Sequence, residues 1–85
     1  MPDGVILRGL ARIAIQNGTL PARPPDRTWG GAGAGAPCPV CSLAVTQDEL
    51  EFEVEFAHDG GARGGDTYHL HTRCFAAWEC ERPKS

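Results

Sequence analysis

The sequence predicts a small α+β domain, two helices around a β-hairpin, and three observations carry that prediction. Residues 49–56, Glu-Leu-Glu-Phe-Glu-Val-Glu-Phe, alternate without exception, which marks a strand with one buried and one wet face. Residues 4–17 and 72–82 carry apolar side chains at helical spacing. Two close-set pairs, Cys38-Pro39-Val40-Cys41 and His71-Thr72-Arg73-Cys74, flank the strands and read together as C-x2-C-x29-H-x2-C.

Those pairs supply what the length lacks. A chain of 85 residues buries only a marginal core, and domains of that size are often completed by a metal or by disulfides. Three thiolates and one imidazole are the ligand set of a closed, tetrahedral structural zinc site, and soft sulfur donors suit that ion. One structural Zn2+ held by Cys38, Cys41, His71 and Cys74 would add on the order of 10 kcal/mol of binding free energy coupled to folding. His69 is the alternative to His71, but H-x-x-C fits one helical turn and the longer spacing does not. A C-x-x-C pair can also be a redox centre, yet that needs a βαβ setting, which is missing here. The opening stretch, Met1 to Arg8, has too short an apolar run for a secretory signal, and no stretch reaches the ~18 apolar residues of a membrane span. Four cysteines in such a chain point to metal in a reducing, cytoplasmic compartment rather than to disulfides.

Taken in order, the chain reads as one domain, residues 1–85, in three segments: a helix and turn over 1–20, a linker over 21–37 and a zinc-binding module over 38–85. In the first helix Ile6, Leu10, Ile13 and Ala14 share a face, Asp3 can cap the start, and Asn17-Gly18 can end it with Leu20 folding back. That helix has two candidate resting places, the zinc module or a second copy of the chain. The linker pairs a proline-rich half with the flexible run Gly30-Gly31-Ala32-Gly33-Ala34-Gly35-Ala36. It has no phosphate-loop signature, and Trp29 is its one large apolar residue.

Pro39 stiffens the turn between the first two ligands. On the following strand Leu50, Phe52, Val54 and Phe56 face inward, and Glu49, Glu51, Glu53 and Glu55 outward. A mobile glycine-rich turn is expected over 58–66, then a returning strand over 67–71 that sets His69 opposite the glutamates. The last helix, 72–82, buries Cys74, Phe75, Ala77 and Trp78 and starts at the second ligand pair. Cys80 falls about 1.7 turns past Cys74 at ~3.6 residues per turn, so it points away from the metal as a buried or half-buried thiol.

The net charge of −3 is unevenly spread. Residues 1–37 hold four arginines against two aspartates, while residues 38–85 set four cations against nine acids. An acidic module repels phosphate backbones, so nucleic acid is not its default partner.

A knuckle, a β-hairpin and a helix whose start supplies the last two ligands resemble the treble-clef arrangement over residues 38–82. Cys38-Pro-Val-Cys41-Ser42, Asp48-Glu49-Leu50 and Tyr68-His-Leu-His71-Thr-Arg-Cys74-Phe75 resemble the zinc finger of poly(ADP-ribose) polymerase type. The resemblance implies Cys38, Cys41, His71 and Cys74 as ligands and recognition of DNA strand breaks through basic strand residues. Here the strand carries glutamates in their place. The chain also looks similar to small bacterial zinc-binding domains of unknown function, which imply no activity.

The expected function is therefore a non-enzymatic zinc module in protein interaction, with Glu49, Glu51, Glu53, Glu55 and Trp29 as the surface for an unknown protein partner. The alternative is a DNA- or RNA-binding finger in which Arg8, Arg12, Arg23, Arg27, Arg63 and Arg73 converge. An enzyme is expected least: four protein ligands close the metal, no deaminase signature is present, and the spare histidines, His58 and His69, have no assignable base partner.

Overall fold

Three antiparallel strands in the order β1-β2-β3 form a sheet; the second helix packs on it, and the first helix packs on the second. In chain order these are α1 (Gly4–Gln16), β1 (Arg27–Ala32), β2 (Leu50–Ala57), β3 (Gly65–His71) and α2 (Thr72–Glu81). The structure is a computed structural model and describes residues 3–57 and 65–82.

α1 begins where Asp3 accepts a hydrogen bond from the Ile6 amide at 3.1 Å, satisfying one of the helix's free donors. It ends at Gly18, whose φ of 76° is open to glycine at little cost. The Gly18 amide donates to the Ile15 carbonyl, the Leu20 amide donates to Ala14, and Leu20 is fully buried. Both caps match the sequence. The buried face does not. It is Leu7, Ala11 and Ala14, with Leu10 and Ile15 partly covered, while Ile6 and Ile13 are about half exposed. Apolar residues populate two overlapping stripes of this helix, and packing chooses between them. α1 lies on α2 of its own chain. Arg8 and Arg12 both donate to Glu81 on α2, at 3.0 and 2.9 Å, and hold its carboxyl below the usual carboxylate range.

The expected linker is a second departure. Residues 27–32 form β1, the edge strand, with Trp29 opposite Glu53 and Gly30 opposite Phe52. Its neighbours are also pinned. The Arg23 guanidinium donates to the Ala57 carbonyl at 2.8 Å, and Asp26 accepts from the Ala57 amide at 2.7 Å. The Gly33 amide donates to Glu49 and the Gly35 amide to Val45. A Cβ on Gly33 would run into the carbonyl oxygens of Val45 and Thr46, so the glycine is there for close backbone approach.

On β2 the alternation holds inside: Val54 and Phe56 are buried, and Phe52 packs its ring 4.5 Å from that of Phe75. Leu50, at the strand's start, is exposed instead of buried. Glu51 is buried instead of wet. Both are exceptions to the expected pattern at the end of β2 nearest the ligands. The expected turn over 58–66, with His58 and Arg63, lies outside the described residues, except that Gly65 and Asp66 already belong to β3. Cys80 is exposed on α2, not half-buried. The core is a single cluster of Leu7, Leu20, Val45, Val54, Phe56, Leu70 and Trp78 with smaller side chains between them.

Candidate metal centre

The first ligand pair sits on a tight turn. The Ser42 amide donates to the Cys38 carbonyl at 2.8 Å, and the Cys38 amide donates to Leu43 at 2.9 Å. Pro37 and Ala44 bridge the turn's two ends. Ser42 takes a φ of 69°, a left-handed conformation that costs a non-glycine residue roughly 1–2 kcal/mol. The chain accepts that strain where it must reverse just after Cys41. The second pair straddles the junction of β3 and α2. His71 is the last strand residue and the N-cap of α2, and Cys74 lies one turn in. Core residues anchor both sides, with Val40 on the turn and Leu70, Ala77 and Trp78 around the junction.

These elements bring Cys38, Cys41, His71 and Cys74 together, with their donor atoms all within 4.8 Å of one another. Cys38, Cys74 and His71 are buried and Cys41 is half-buried. The Nδ1 atom of His71 is 3.4 Å from the sulfur of Cys41 and 3.9 Å from that of Cys74. In a tetrahedral site with metal–sulfur bonds of ~2.3 Å and a metal–nitrogen bond of ~2.0 Å, sulfur and nitrogen stand ~3.5 Å apart. The donor set and its spacing therefore fit a metal ion. His69 does not join this group. Its Nδ1 lies 3.0 Å from Glu51 on the outer face of the sheet.

The three thiols are held unequally. A hydrogen bond from Cys74 lowers the Cys38 thiol to about 4 against the opposing effect of burial, and the amides of Cys41 and His71 help. The same shared hydrogen bond, then burial, pushes Cys74 well up, and burial raises Cys41. A cation would have to displace protons from the latter two, so its affinity falls as the solution is acidified.

Glu49, expected on an exposed stripe, instead backs the candidate ligand His71. The Nε2 atom of His71, on the far side of the ring from the sulfurs, is 3.4 Å from Oε1 of Glu49. That same oxygen accepts from the amide and the hydroxyl of Thr46, both at 3.1 Å. The Thr46 amide is the main reason the Glu49 carboxyl titrates below its ordinary range. A carboxylate so fixed sets the ring's orientation and makes its other nitrogen a better donor to metal. The signal was in the sequence: Thr46-Gln47-Asp48-Glu49 has the spacing of a capping box. Glu49→Ala is expected to weaken metal binding by roughly 10- to 100-fold, measured by competition with a chromogenic chelator. Unchanged affinity would mean that the backbone alone orients His71.

Of the remaining surface residues, Trp29 stands on the same sheet face as Glu53 and is 44% exposed. Glu55 lies 3.8 Å from Arg27. No described helix is long and apolar enough to cross a membrane.

Fold and site together define a small α+β protein with a Cys3His group able to hold a metal ion. Set against known protein families, curated proteins and solved structures, the chain matches none.

Proposed function

We propose that the chain is a structural zinc-binding module of the treble-clef type that serves protein interaction rather than catalysis. One observation carries the reading: three cysteine sulfurs and one histidine nitrogen, from a turn and a strand–helix junction distant in sequence, converge within 4.8 Å. Sulfur-rich tetrahedral sets suit zinc above other common divalent ions. Four protein ligands leave no position for water or substrate, which removes the usual route to zinc catalysis. Thiolate ligands persist in a reducing compartment, and the cytoplasm is the natural setting.

A DNA- or RNA-binding role draws little support from the arginines it would need. Arg8 and Arg12 are engaged with Glu81, Arg23 with Asp26 and the Ala57 carbonyl, and Arg27 with Glu55, which leaves Arg73, exposed on α2, while Arg63 lies outside the described residues. The surface left for a protein partner combines Trp29 with Glu53 and Glu55.

The test uses the purified chain as bait beside a Glu53→Lys, Glu55→Lys variant, with native mass spectrometry of both. One zinc per chain is expected in each, with partner capture lost in the variant. A chain that carries no zinc would sink the structural reading. Capture that survives the charge reversal would sink the acidic face as the docking surface.

A further inference from the structure

A second group of ligating side chains stands beside the first on the outer face of the sheet. Glu53 on β2 is directly opposite His69 on β3, and Glu51, two residues along β2, is opposite His71. The donor atoms of Glu51, Glu53 and His69 lie within 4.8 Å of one another. One atom, Nδ1 of His69, is the focus: it is 3.0 and 3.2 Å from the two oxygens of Glu51 and 3.8 Å from Oε1 of Glu53.

We propose that Glu51, Glu53 and His69 form a second, open site for a divalent first-row transition ion, independent of the Cys3His centre.

Burial makes the first part of the case. The Glu51 side chain is only 8% exposed, and among the described residues its oxygens meet no donor outside this group. A buried carboxylate needs a compensating cation or a full set of donors. A single imidazole nitrogen can donate one proton, and two carboxylates converge on it. The surrounding charge makes the second part. Glu51, Glu53 and Glu55 occupy one side of β2, and Glu49 immediately precedes the strand. Among the described residues, Arg27 is the arginine that approaches them, at 3.8 Å from Glu55. Glu49 is already committed to Thr46 and His71. Negative potential is therefore concentrated over Glu51 and Glu53, where a dication would neutralise it.

Geometry and donor type define the ligand class. Glu51 forms the floor, while Glu53 and His69, with side chains 37% and 29% exposed, leave the approach from solvent open. Two carboxylates and one imidazole leave coordination positions for water, unlike the closed sulfur site. Oxygen-rich donors with one imidazole suit Mn2+ or Fe2+ and do not favour thiophilic ions. The two groups share no residue, because His71 turns its Nδ1 toward Cys41 and Cys74.

Mn2+ is the probe, since it prefers carboxylates and competes poorly for thiolates. The full chain, purified with whatever ion its cysteines hold, is titrated with Mn2+ and followed by the loss of the free-ion electron paramagnetic resonance signal. The expected result is one Mn2+ per chain, with the ion at the cysteines retained by native mass spectrometry. Glu53→Gln, a change at a part-exposed side chain that leaves the core untouched, should weaken Mn2+ binding about tenfold or more, a coupling of the size expected for a direct ligand. The double variant Glu51→Gln, Glu53→Gln should bind none while keeping the first ion and its circular dichroism spectrum. A wild-type chain that takes no Mn2+ at millimolar concentration overturns the proposal, as does a double variant that binds it as well as wild type. A chain that binds Mn2+ but holds no ion at its cysteines would sink the structural-zinc reading and leave this second site standing.

Discussion

Cys74→Ser is expected to leave the chain without a cooperative fold at room temperature, the largest effect of any single substitution. Cys74 is fully buried in the first turn of α2, against Cys38, Cys41 and His71. A serine hydroxyl is nearly the same size, so the core loses little packing. If zinc is held as proposed, what it loses is a ligand, because a hydroxyl neither ionises readily nor offers soft sulfur to the ion. Structural zinc contributes roughly 10–16 kcal/mol of apparent binding free energy, and domains as a class are stable by about 5–15 kcal/mol. Losing most of the first quantity removes all of the second. Circular dichroism melts, with and without a chelator, read the result. The wild type should lose its cooperative transition on chelation, and the variant should lack one from the start. Cys80→Ser, a change at an exposed thiol on the same helix, is the control and should melt like wild type. A Cys74→Ser variant that melts within a few degrees of wild type would show that folding does not depend on the metal.

The parts of the fold that could be read in advance are those where side chains impose a pattern. The inward Val54 and Phe56 of β2, the Asp3 and Gly18 caps of α1 and the buried Cys74, Ala77 and Trp78 of α2 all follow from local chemistry and stand as expected. The gathering of Cys38, Cys41, His71 and Cys74 was legible for the same reason, since the spacing of each pair encodes its local geometry. β1 was not. It holds its place through backbone hydrogen bonds to β2, and a run of Gly and Ala has no alternation to announce it. The face of α1 was hidden by excess: Val5, Ile6, Leu7, Leu10, Ala11, Ile13, Ala14 and Ile15 make two apolar stripes, and only the docking of α2 selects Leu7 and Ala11 over Ile6 and Ile13. Glu51 escaped because its burial depends on His69, eighteen residues away and one register step off the direct pair. Glu49 lies just before β2 rather than on it, and its turn toward His71 is a tertiary contact that period-two spacing cannot supply.

Trp78→Ala is expected to cost about 3–5 kcal/mol, the range for truncating a large buried aromatic side chain. Trp78 is fully buried where the two ends of the module meet. Its ring lies 5.7 Å from Phe75 and 5.9 Å from Phe56, and the Arg82 guanidinium sits 4.7 Å above it. Its Nε1 donates at 3.0 Å to the carbonyl of Pro21, tying α2 to the segment that follows α1. Trp78→Phe separates these roles. It keeps an aromatic ring in the core and removes the donor, so its cost should fall near the ~1–3 kcal/mol of an acceptor left without its partner. Denaturant midpoints of the metal-loaded variants give the ranking, with alanine well below phenylalanine and both below wild type. Equal losses would mean that the Pro21 hydrogen bond, not the ring, is what the core needs. The same packing positions Cys74 on the preceding turn of α2, so the proposed zinc site would be coupled to folding through this one side chain. A loss of 3–5 kcal/mol should then reappear as a roughly 100- to several-thousand-fold weaker apparent affinity for zinc, at about tenfold per 1.4 kcal/mol. An alanine variant that is destabilised yet binds zinc as tightly as wild type would show that the ligands form their site without the core behind them.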